Sequence, residues 1–182
     1  MAEAAADHFL SVAESLEGVL AGLGLRERAR IRSHESLRYR WNRSLLDVAK
    51  EHSELHAKSS CGYGQGVSAP AGFPGGYYTY VSTKRRCRYR LKIEKRDSDP
   101  EVHLRRFDVL WRHRDGIEST TGRLEWSRDK NATSASVYGT LPGGNAAPEE
   151  EWLEIQTRLV EAMGRLYEAV SPIIESEEFL GV

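Results

Sequence analysis

The apolar positions first recur with helical spacing. Phe9, Val12, Ala13, Leu16, Val19, Leu20 and Leu23 lie three and four apart, Asp7 stands where an N-cap belongs, and Gly22 and Gly24 close the run. A second stripe of Leu37, Trp41, Leu45, Val48, Ala49, Leu55 and His56 follows Ser36, a capping residue type, and predicts a helix down to about residue 58. Residues 59–76, SSCGYGQGVSAPAGFPGG, are glycine-rich with two prolines and predict a long loop.

From Tyr77 the period falls to two. YYTYVST leads to a turn near Lys84 and then CRYRLKIEK, a hairpin. In its second arm Cys87, Tyr89, Leu91 and Ile93 share one face, and Arg86, Arg88, Arg90 and Lys92 share the other. Helical spacing returns over 101–121 through Leu104, Phe107, Leu110, Trp111, Arg114 and Ile117, with Asp99 or Pro100 at its start and Gly122 at its end. Leu124 and Trp126, the polar turn RDKNA, and Ala135 and Val137 predict a second hairpin. A closing helix starts with Pro148 at its first position and runs through Trp152, Ile155, Leu159, Met163, Leu166 and Val170 to about Ser171 and Pro172.

The order helix, helix, hairpin, helix, hairpin, helix leaves no strand alone between helices, so it predicts an α+β fold rather than a βαβ one. Two N-terminal helices come first, and two hairpins form an antiparallel sheet with one face packed against helices, among them the long C-terminal one. The expected division is a helical extension over 1–35, an α+β domain over 36–175 and a short tail over 176–182.

Composition narrows the class. The chain has 182 residues, of which 40% are hydrophobic and 29% charged, as in a soluble globular protein. It contains no apolar run of spanning length, and MAEAAADHFL lacks the basic and apolar regions of a secretory signal. The expectation is a cytoplasmic protein without a membrane partner. Cys61 and Cys87 lack CxxC spacing, so reduced thiols are expected.

Charge adds a sharper feature, because a net charge of -1 conceals segregated blocks. Residues 1–25 carry -4, residues 26–43 carry +5, residues 84–96 carry +7, and residues 149–182 carry -7. The basic hairpin arm is the strongest functional lead. Alternate side chains on a strand repeat at roughly 6.6 Å, close to the step between backbone phosphates, and arginine bonds phosphate through two N–H groups at once. Lys84, Arg85, Arg86, Arg88, Arg90 and Lys92 are therefore the candidate nucleic-acid-binding residues. Tyr77, Tyr78 and Tyr80 on the neighbouring arm either stack bases or form cross-strand pairs. The competing reading is that these cations protect a strand from aggregation, or pair with glutamates of the closing helix. An acidic protein partner, or a second copy forming a homodimer, is the other partner class.

Catalytic chemistry finds little support. A restriction-type nuclease core requires an acidic residue followed two positions later by lysine on a strand, and no predicted strand has one. His52 and His56 stand four apart, with Cys61 nearby as a third ligand for zinc. HSELH nevertheless places Glu54 away from the general-base position of HExxH, and the bland alternative is a packed His56 and a solvated His52. Gly62–Gly66, GYGQG, follows a helix and precedes a hairpin, the wrong context for a dinucleotide fingerprint, and reads as a connecting or mobile binding loop. No serine or cysteine nucleophile signature organises a triad. Neither a cofactor nor a metal nor a catalytic residue is assigned.

WNRSLLDVAKEHSELHAK, AGFPGGYYTYV, RYRLKIEKRD, FDVLWRHRDGIESTTGRLEW, SVYGT and EEEWLEIQTRLVEAMGRLYEAVSPII follow one another in an order that resembles a bacterial domain-of-unknown-function family. Members of that family are often fused to, or encoded near, restriction-nuclease-like proteins. Its most specific element is IESTTGRLEW, with Ile117, Glu118, Gly122, Leu124, Glu125 and Trp126 in the family's rhythm. The resemblance implies a defence or DNA-processing setting and assigns no reaction. The resulting expectation is a non-enzymatic nucleic-acid-binding or accessory module, with a self-assembling or nuclease-docking regulatory subunit as the alternative.

Overall fold

The computed structural model describes residues 37–60, 66–95, 101–128 and 133–182. Its contacts divide the chain after Arg38, and the fold below is that of the unit Tyr39–Val182. The first expected helix, the arginine-rich connection up to Ser36, Cys61 and the RDKNA turn after Arg128 lie outside the described residues, as does the expected boundary at residue 35.

The architecture is α+β. Helix α1 covers 37–52. Strands β1 (Ser68–Pro70), β2 (Gly76–Ser82) and β3 (Arg86–Glu94) precede helices α2 (Val102–Arg112) and α3 (Arg114–Thr121). Strands β4 (Glu125–Ser127) and β5 (Ser134–Pro142) then lead to α4 (Glu149–Ile174) and a final turn of helix, α5 (Glu177–Leu180). All strand pairs are antiparallel, in the order β1-β2-β3-β5-β4. The strand with the alternating cations is thus the middle of five.

The helices cover one face. Tyr78, Tyr80, Cys87, Tyr89, Leu91, Ile93, Ala135 and Val137 point into the core and are at most 5% exposed. Across them run Trp152, Ile155, Leu159, Met163, Leu166 and Val170, the stripe whose period marks α4 in the sequence. Trp41 of α1 meets Trp152 edge to face at 5.1 Å. The buried Gln156 donates to Trp41 O at 3.2 Å and accepts from Ser44 Oγ at 2.9 Å, so its amide is not left unpaired in the core. On β5, Gly139 faces Tyr89, and a Cβ there would lie 2.2 Å from the phenol oxygen. Only glycine lets the tyrosine ring lie flat on the neighbouring strand. Among the described residues no helix is long and apolar enough to cross a membrane.

Several elements depart from the periodicity. The second helix ends at residue 52, because Ser53 takes extended geometry, accepts from Leu55 N and starts a separate 3-10 turn, Glu54–His56. The loop expected over 59–76 contains β1, so the sheet has five strands rather than four. The helix expected over 101–121 breaks at His113. Its first half packs Phe107 and Leu110 toward the sheet, whereas Ile117 in the second half turns toward α4. Pro148 is the cap of α4, one residue before its first helical position. The same helix runs past Pro172 to the buried Ile174. Residues 177–180, in the stretch expected as a tail, fold back. Phe179 is fully buried against Phe73 at 4.9 Å, and Arg106 lies over both rings.

Candidate nucleic-acid interface

Burial along β3 alternates from Arg86 to Glu94, which puts Arg86, Arg88, Arg90 and Lys92 on the sheet face turned away from the helices. Of the α4 glutamates, Glu149 pairs with Arg40 and Glu154 with Arg158, and none pairs with β3 among the described residues.

The hairpin turn is built for rigidity. Thr83 N donates to Arg86 O at 2.8 Å, and Arg86 N donates to Thr83 Oγ1 at 3.1 Å, leaving Lys84 and Arg85 as the two loop residues. A second turn buttresses the first, with Gly143 N, Asn145 N and Ala146 N donating to the carbonyls of Arg85, Thr83 and Lys84. Gly144 sits at the crossing, where a Cβ would come within 2.1 Å of Thr83 O. The consequence is a fixed cationic corner. Beside it lies a shallow cleft of about 290 Å³ lined by Arg85, Arg86, Thr140, Leu141 and Pro142.

The six candidate cations are not equivalent. Lys84, Arg85, Arg86 and Arg88 are exposed, and no carboxylate lies within ion-pair distance of them among the described residues. Arg88 stacks its guanidinium 5.1 Å from the centre of the Tyr138 ring, and Tyr138 in turn donates its hydroxyl to Glu125 at 2.8 Å. That bond raises the Tyr138 phenol above its ordinary range. Arg90 is half-buried and donates to Thr79 Oγ1 at 2.6 Å across the strand pair. Burial, and next the Arg88 charge, lower its pKa. Lys92 is paired with Glu94 at 2.7 Å. The free positive charge is concentrated at the turn end of the strand.

Of the three tyrosines, Tyr78 and Tyr80 point into the core and are 1% exposed, so they are not available to stack bases. Tyr77 alone shares the cationic face, opposite Lys92. The aromatic residue that flanks the free arginines is Tyr138, which becomes their neighbour only through the β3–β5 register Arg90↔Tyr138.

The histidine pair does not form a ligand set. With the helix ended at residue 52, His52 is exposed and its Nδ1 lies 2.9 Å from Val48 O. His56 is fully buried and stacks on Tyr80 at 5.0 Å, and burial lowers its pKa to about 4. Among the described residues no group of three histidine, cysteine or acidic side chains is placed to hold a metal ion. Cys87 is buried, and desolvation pushes its thiol up to about 11, so it is protonated at neutral pH.

The family model for the domain of unknown function DUF4268 matches residues 37–174, from the start of α1 to the end of α4. The chain belongs to the DUF4268 family. The match takes in all five strands and every helix that covers the sheet except α5, so the cationic face lies wholly inside the DUF4268 domain. No curated protein and no solved structure matches the chain.

Proposed function

We propose that this DUF4268 domain binds nucleic acid through the outer face of its sheet, with Lys84, Arg85, Arg86 and Arg88 contacting successive phosphates. The observation that carries the reading is that these four cations are exposed at the turn end of β3, where a second turn braces the first and no carboxylate pairs with them among the described residues. Arg90 and Lys92 extend the positive potential along β3, although Arg90 gives its Nε–H to Thr79 and Lys92 is paired with Glu94. Tyr138, held by Glu125 and covered by Arg88, offers a ring edge beside the phosphate track. The domain acts without a reaction of its own, as a cytoplasmic accessory module in a bacterial defence or DNA-processing system that includes a restriction-type nuclease. Anisotropy of a labelled oligonucleotide, titrated with salt, tests the binding. Salt-independent affinity, or none, overturns it.

The outer side of α4 supports a second reading. Glu150, Glu151, Glu154, Glu161 and Glu168 are all exposed there, a surface complementary in charge to the β3 corner of another copy. Self-assembly of this kind predicts a particle whose size falls as salt is raised, readable by light scattering.

A further inference from the structure

Three aromatic rings meet at the opposite edge of the sheet from β1, on its helix-covered side. Phe107 and Trp111 are one helical turn apart on α2, and their rings lie nearly parallel, at 18° with centres 6.5 Å apart. Trp126 of β4 stands across both, at 79° to Phe107 and 87° to Trp111. Together with Asp108 and Arg128 they line a notch of about 270 Å³, smaller than a typical drug-sized ligand site. Trp111 is 45% exposed, so part of its indole is open to solvent at the mouth of the notch.

The walls are held before any ligand arrives. Trp126 Nε1 donates to Glu118 at 2.8 Å, and the same carboxylate accepts from Leu124 N and faces Arg114. Arg114 lies 4.9 Å from the Trp111 ring centre. Arg128 is fixed by a two-point bond to Asp108, at 2.6 and 2.8 Å.

Charge decides what such a notch accepts. An aromatic cage holds an alkylammonium ion on its ring faces, but here the Arg114 guanidinium already lies over the Trp111 ring, and Asp108, the carboxylate that lines the notch, is paired with Arg128. Glu118 pairs with Arg114 as Asp108 does with Arg128, so these walls offer an entering cation no uncompensated negative charge. A flat neutral ring would stack on the exposed indole, with its polar edge toward the Asp108–Arg128 pair. We propose that the Phe107–Trp111–Trp126 notch is a binding site for one nucleobase, carried either by a free nucleotide or by an unpaired position of a nucleic-acid strand. This site is separate from the cationic sheet face and does not depend on it.

The test uses the full chain. The indole N–H resonances of its four tryptophans are followed by NMR during titration with AMP, GMP, CMP, UMP, ribose 5-phosphate, tetramethylammonium and a short single-stranded oligonucleotide. Shifts confined to Trp111 and Trp126 on adding mononucleotides, purines before pyrimidines, identify a free-nucleotide site. The same shifts with the oligonucleotide alone identify a strand base. Trp111→Ala should weaken the interaction about tenfold or more, the loss of one stacking platform, and Trp111→Phe should restore much of it. Arg86→Gln/Arg88→Gln should leave the mononucleotide response unchanged, so failure of the sheet-face proposal and failure of this one give different results. Equal shifts with ribose 5-phosphate, a response to tetramethylammonium, or no shift at either indole with any nucleotide or the oligonucleotide overturns the assignment.

Discussion

Replacing Arg86 and Arg88 together by glutamine removes two of the four unpaired cations at the β3 corner, and the size of the effect follows from counterion release. Four phosphate contacts give a slope of log affinity against log salt of about -2.8 on single strands and about -3.6 on duplex. Raising salt from about 50 to 200 mM then weakens parent binding by roughly 50- to 150-fold. With two contacts left, the slope falls to about -1.4 to -1.8, and the same salt step costs only about 7- to 12-fold. Arg90→Gln is the internal control. Its guanidinium is half-buried and committed to Thr79, so the slope should barely move although stability falls by about 1 kcal/mol for the lost hydrogen bond. Fluorescence anisotropy at four or five potassium chloride concentrations gives the slopes, and thermal melts show that each variant is folded. The reasoning is refuted if the double variant keeps the parent slope, or if Arg90→Gln lowers it as much as Arg88→Gln does.

The buried histidine sets a pH dependence. His56 has its pKa lowered to about 4 by burial, against 6.5 in the unfolded chain, so the unfolded state takes up the proton first. Stability is unaffected above about pH 6.5 and falls progressively toward pH 4, by about 3 kcal/mol for this group. Denaturant titrations across that range should show the loss, and His56→Phe should remove this component; a His56→Phe protein with the same acid profile would contradict the assignment. Gly139→Ala places a methyl group inside the Tyr89 ring contact and should destabilise by about 1–3 kcal/mol, measured as a lower unfolding midpoint. A neutral result there would mean the two strands separate easily. Phe179→Ala empties a fully buried site and should cost about 3–5 kcal/mol, so α5 belongs to the core if urea unfolding shows that loss and is an appendage if it does not.

Much of this arrangement is written locally. The side-chain alternation of β3 needs only a period of two, and once one face is greasy the other must carry Arg86, Arg88, Arg90 and Lys92. The stripe of α4, the Lys84–Arg85 turn and the pairing of each hairpin are equally short-range, since neighbours in the chain supply the partner. The residues from Ser68 to Pro70 carry no such signal. Three positions are too few to show a period, and they become a strand because β2 offers them an open row of hydrogen-bonding groups.

The break at His113 was invisible for a related reason. One apolar stripe reads through it, yet the two halves face different neighbours, the sheet and α4, which no local pattern distinguishes. The same holds for the interface and for the aromatic notch. Sequence places six cations on one strand and its turn, with Glu94 two positions from Lys92 on the same face, but only cross-strand neighbours engage Arg90 with Thr79 and set Tyr138 beside Arg88. Trp111 and Trp126 are far enough apart in the chain that only the docking of α2 against the β4 edge brings their rings within 5.4 Å. Residue type and periodicity determine which face each side chain takes; which charges stay free and which rings converge depends on contacts between elements distant in the chain.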